Sequence, residues 1–162
     1  MLERLQKLFR ALSPDGGARY EFAEGDHRVA AAALLVHVTL IDGVQTDSER
    51  RKLQHLLMDR FDLEEDEALA LIAAASARDR EAIDFHTFTS VLKRAYDEAG
   101  RRRLVEMLWE LAFADGQVHQ FEDDMVWRVA ELIGVPSRER IAIRKQIAAE
   151  RGIALAEAEA ED

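Results

Sequence analysis

The chain has 162 residues, enough for one domain with an ordinary hydrophobic core and no need of a covalent staple. Hydrophobic residues make up 48% of it while Gly and Pro number only 8 and 2, which favours long helices over a turn-rich β fold; the lack of cysteine excludes disulfides and thiolate metal sites and fits a reducing compartment. A formal net charge of −10 argues against nucleic-acid binding, because phosphate contacts need a clustered basic surface.

Residues 2–12 place Leu2, Leu5, Leu8, Phe9 and Leu12 at helical spacing, which predicts a short amphipathic helix broken at Ser13-Pro14-Asp15-Gly16-Gly17. Charges interrupt its apolar residues, so it lacks the core of a signal peptide; its stripe is suited to docking on the domain itself, on a partner or on a membrane surface. With the linker it forms a leading unit over 1–25. The helical domain follows over 26–147, and 148–162 is an Ala/Glu-rich acidic tail, expected to fray, that carries −4 of the net charge.

From Asp26 to Ile41 the chain is apolar almost all round, as in a central helix covered on most sides, and is too short to cross a bilayer. His37 within it reads as a satisfied core residue. The helix ends at Asp42-Gly43. A second helix begins near Thr46, where Thr46-Asp47-Ser48-Glu49 reads as a capping box, and runs through Leu53, Leu56, Leu57 and Phe61. Residues 64–77 predict a third helix, Arg78-Asp79-Arg80 a polar gap, and Ile83 to Tyr96 a further helix stopping near Ala99-Gly100. Arg101-Arg102-Arg103 opens the next, as solvated residues pairing with carboxylates or as an anion site. Leu104 to Ala114 is a second buried helix, ended by Asp115-Gly116. Two more helices follow, one with Met125, Val126, Val129, Leu132 and Ile133, the other with Ile141, Ile143 and Ile147.

The pattern D-G-x5-E therefore occurs twice, at Asp42-Gly43 with Glu49 and at Asp115-Gly116 with Glu122. At a constant offset of 73, Leu34, Leu35, Val38, Leu40, Leu53 and Leu56 fall on Met107, Leu108, Leu111, Phe113, Val126 and Val129. One helix-turn-helix unit is read as duplicated, with repeats over about 28–72 and 101–145. The fold class that follows is all-α: a single-domain bundle of seven to eight helices with an internal pseudo-twofold.

An aspartate in the last turn of a helix faces the negative end of the dipole, so two such placements ask for a compensating partner. One partner is the set of exposed N–H groups opening the next helix; the other is a divalent cation such as Ca2+, which takes oxygen ligands. Asp42, Glu49, Asp115 and Glu122 are the candidate metal ligands, with Asp47, His119 and Asp123 in second rank. The motif matches only the later half of an EF-hand loop: Val38, Leu40, Leu111 and Phe113 stand where its first ligands belong. A shared ion site further requires the two turns to be neighbours.

On these residues, ALLVHVTLIDGVQTDSERRKLQHLL with YDEAGRRRLVEMLWELAFADGQVHQFEDDMVWRVAELIGV, the chain resembles the tellurite resistance protein B (TerB)-like family over residues 28 to about 147. The resemblance implies an all-helical duplicated domain in a bacterial cytoplasm, metal binding by acidic residues at the DG turns, and a part in tellurite or other chemical stress, often within a membrane-associated complex. Ser48 and Phe121 stand where that pattern commonly has acidic residues or proline.

Two functions fit. One is a non-enzymatic stress-response module that binds a divalent cation and a protein partner; the other is a metal-free structural or adaptor domain, with a membrane-proximal scaffold as a variant. An enzyme is not expected, since the chain has no G-x-S-x-G elbow, P-loop or H-E-x-x-H, and Glu24-Gly-Asp-His27 alone has the Glu-x-x-His spacing of a di-iron bundle.

Overall fold

A computed structural model describes residues 22–23, 25–40, 45–82, 84–114 and 120–155. They form seven α-helices and no strand: α1 (His27–Thr39), α2 (Asp47–Phe61), α3 (Glu65–Glu81), α4 (His86–Ala95), α5 (Glu98–Ala112), α6 (Gln120–Ile133) and α7 (Ser137–Glu150). The helix expected over residues 2–12 lies outside the described residues.

The first helix is the axis of the bundle. Every residue from Val29 to Thr39 except His37 is buried, and α2, α3, α4, α5 and α6 all pack on it. A polar stripe on α1 would leave unpaired groups against one of these neighbours, which is why its sequence is apolar around the whole circumference. Full burial of side chains such as Leu34 and Leu35 stabilises the fold by about 1.5–3 kcal/mol each. Asp26 starts the helix by accepting the N–H of Arg28 at 2.9 Å and pairing with its guanidinium at 2.9 Å. That guanidinium beside Asp26 holds its carboxyl below the usual range.

The fifth helix is the second large element of the core. Trp109 and Phe113 are both buried and stack with ring centroids 5.4 Å apart, and α5 packs on α1, α6 and α7. Arg60 on α2 reaches across to Glu110 at 3.1 Å, tying α2 to α5.

Three sequence expectations change. Arg78-Asp79-Arg80 is not a gap: α3 runs on to Glu81, and Arg78 and Arg80 lie in its last turn, where positive charge suits the dipole. Nor do Ala99-Gly100 end α4, which stops at Ala95; Tyr96 is extended, and Asp97 caps α5 by accepting the N–H of Gly100 at 2.8 Å. Gly100 lies inside the new helix, at a point of close approach where a Cβ would sit 3.1 Å from Tyr96 Cβ. Finally, α7 does not fray at Ala148. It continues to Glu150 and closes in a Schellman turn, with Ile153 N–H donating to Ala148 O at 2.8 Å and Gly152 N–H to Ala149 O at 3.2 Å. Ile153 and Leu155 then pack on the core.

Candidate functional site

The heads of α2 and α6 carry the described part of the repeated motif. In the first hairpin, α1 ends at Thr39, whose hydroxyl donates to Val36 O at 2.6 Å and accepts Gln45 Nε2 at 2.6 Å. Gln45 thus straps the outgoing end of α1 to the approach of α2. Thr46 then caps α2: Glu49 N–H donates to Thr46 Oγ1 at 3.1 Å, and Glu49 Oε1 accepts from Thr46 N–H at 3.3 Å and from its hydroxyl at 3.0 Å. This is the reciprocal box expected from the sequence, and it explains how a carboxylate only 8% exposed is tolerated.

The second hairpin repeats the frame with different chemistry. Offset by 73, Thr39 corresponds to Ala112 and Asp47 to Gln120, the last residue of α5 and the first of α6. The C-caps agree as well, with φ, ψ of −103°, 3° at Leu40 and −90°, 6° at Phe113. Glu122, the counterpart of Glu49, is likewise buried, at 5% exposure. Yet Thr39 and Gln45 become Ala112 and Val118, so the hydroxyl-amide strap is not repeated.

Of the proposed ligands, Asp42, Asp115 and His119 lie outside the described residues. Asp47 is exposed at the start of α2, 3.8 Å from Arg50. Asp123 is latched to Arg144 on α7, Nε to Oδ1 at 2.8 Å. Among the described residues no three His, Asp or Glu side chains are grouped to hold a metal ion. Glu49 does fit a hard cation in one respect: its capping bonds use Oε1 alone, leaving Oε2 outside both.

Away from the hairpin heads, His37 is satisfied but is not a core residue. Its Nδ1 lies 2.9 Å from Asp79 Oδ1, its ring meets Phe85 edge-on at 4.7 Å, and its side chain is 37% exposed at a cavity of about 680 Å3. The three arginines of α5 divide as charge runs do: Arg102 faces Glu98 at 3.6 Å and Glu139 at 3.3 Å, Arg101 donates to the backbone of Lys93, and Arg103 is exposed. Sequence reasoning missed one feature, the corner between α6 and α7. Arg140 is only 3% exposed there, and its guanidinium lies 3.1 Å from the ring centroid of Trp127. An Arg thirteen residues after a Trp gives no signal without the corner that joins them.

These features define an all-helical domain whose two hairpins each place a buried carboxylate in the first turn of the second helix. The family model described as tellurite resistance protein TerB matches residues 28–145, and the chain belongs to that family. No curated protein and no solved structure gives a significant match.

Proposed function

We propose that this protein is a non-enzymatic, cytoplasmic stress-response module of the TerB type, which binds a divalent cation through carboxylates of its two DG turns and docks a protein partner on its helical surface. The reading is supported above all by the common frame of the two hairpins: helix ends in register at an offset of 73, with Glu49 and Glu122 both buried at the same place. On this reading the two little-exposed acids, matched at the offset of 73, act together as cation ligands. Asp42, Glu49, Asp115 and Glu122 would supply oxygen donors only, the set that Ca2+ or Mg2+ prefers.

Calorimetric titration of Ca2+ into the wild type and into Asp42→Ala/Asp115→Ala tests the cation. Heat that saturates in the wild type and vanishes in the variant is expected; equal heats, or none from either, would remove the metal. The competing reading is a metal-free adaptor, favoured by the capping box, which accounts for Glu49 without an ion. Among the described residues no helix is long and apolar enough to cross a membrane.

A further inference from the structure

We propose that residues 2–12 of this same chain dock, apolar stripe inward, along the outer face of α3, over the turns that follow its acidic head. The proposal goes beyond the function above and does not depend on it.

From Ala68 to Ala77 α3 carries ten residues without a charge, and the hydroxyl of the one polar residue among them, Ser76, donates to Ile72 O at 2.7 Å. A helix so apolar around its circumference belongs in an interior. For α1 that holds, since five helices cover it, but among the described residues only α1 and α2 pack extensively on α3. Its inward side, Ala68, Leu71 and Ala75, is buried. The outer side is left with Leu69 at 47% exposure, Ala73 exposed, and Ala70 and Ile72 half-buried. Contiguous apolar surface of this kind marks a contact site.

Three observations name what covers it. The chain arrives beside the head of α3: Phe22 lies under the guanidinium of Arg28, 5.4 Å from its ring centroid, and Arg28 in turn feels the charge of Glu67 in the first turn of α3. The length is sufficient, because the nine residues between Leu12 and Phe22 can span up to about 30 Å, more than the about 25 Å of α3 itself. A helix over 2–12 would be about 16 Å long, close to the stretch from Glu64 to Ala74. The charges are complementary as well. Glu64, Glu65, Asp66 and Glu67 open α3 in an unbroken run, while residues 2–12 hold Arg4, Lys7 and Arg10 against Glu3. Acids at a helix head answer its dipole and by themselves call for nothing more. Here they adjoin an apolar face, next to which a basic amphipathic segment of matching length is tethered. Arg78 and Arg80 in the last turn of α3 repel that segment and so set it over the first half of the helix.

The chain has no cysteine, so introduced pairs report without background. In the full-length protein, each of Leu5→Cys and Leu8→Cys is combined with each of Leu69→Cys and Ala73→Cys and oxidised at low protein concentration. The best of these pairs should close an intramolecular disulfide roughly tenfold or more faster than the same segment positions do with Ala142→Cys, exposed on α7, because closure needs the two Cα atoms within about 7 Å. Leu5→Glu/Leu8→Glu, which spoils the stripe and leaves α3 untouched, should move the amide resonances of Leu69 to Ala73 and leave those of α7 in place. Equal closing rates for the α3 and α7 pairs would overturn the proposal, as would α3 amides that do not move. Disulfide-linked dimers in place of closed monomers would give the face to a second copy of this chain. Vesicles of phosphatidylcholine and phosphatidylserine that retain the wild type but not Leu5→Glu/Leu8→Glu would give the segment to a membrane; either result replaces the occupant proposed.

Discussion

Glu49 is open to two explanations, helix capping and cation binding, and a pair of substitutions separates them. Glu49→Gln keeps an oxygen where Oε1 now accepts from Thr46 N–H and hydroxyl at 3.3 and 3.0 Å, and removes only the charge. Its stability loss should be confined to the interaction of that charge with the helix N-terminus, about 0.3–1 kcal/mol. Glu49→Ala removes the acceptor as well and leaves the Thr46 donors without their partner, adding about 1–3 kcal/mol for unsatisfied groups in a site that is 8% exposed. Thr46→Ala should cost about 1 kcal/mol as the loss of a cap. Because Thr46 and Glu49 share their bonds, the double variant should lose less than the sum of the two singles. Urea unfolding followed by far-UV circular dichroism reads all four variants against the wild type, and calorimetry with Ca2+ reads the same set for binding. If Glu49→Gln is as unstable as Glu49→Ala, the box is not held by hydrogen bonding and the argument fails. If Glu49→Gln is stable but no longer takes up the cation, capping and ligation coexist in one residue.

Three further outcomes are expected. Gly100→Ala should destabilise the fold in spite of alanine's better helix propensity, worth about 1 kcal/mol, because the new methyl would sit 3.1 Å from Tyr96 Cβ; the same change made in Tyr96→Gly, which lacks that atom, should stabilise, and chemical denaturation distinguishes the two. Gly152→Ala has nothing within 4 Å to strike and should still lose about 1 kcal/mol, since its φ of +66° is left-handed; thermal unfolding measures the difference. Burial raises the Tyr96 phenol to about 12, so absorbance near 295 nm should show a tyrosine titrating at about that pH. The unfolded phenol, with a pKa of about 10, loses its proton first, so this contribution to stability is complete below pH of about 10 and fades as pH rises through the folded value.

The parts of the fold that sequence reveals are those set by short-range chemistry. The apolar circumference of α1 announces a central helix, and Thr46-x-x-Glu49 announces the box that α2 then forms. The misread stretches are those where a distant contact overrides a local signal. Arg78-Asp79-Arg80 looks like a break, but Asp79 is held by His37 from α1 and the helix passes through. Gly100 looks like a stop, but it is a point of close approach to Tyr96, and the signal that ends α4 is the extended residue before Asp97. The D-G-x5-E spacing points to the candidate site residues, and the described heads of α2 and α6 keep its offset of 73. Trp127 with Arg140 was invisible because their contact depends on the angle between two helices.

The burial of α1 on all sides bears on how the chain emerges from a ribosome. Its most water-averse segment is made early, whereas the α5 and α6 surfaces that shelter it arrive some seventy to a hundred residues later. Until then α1 has only part of its cover, and the nascent protein must pass through a period in which its future centre is its most adhesive exterior.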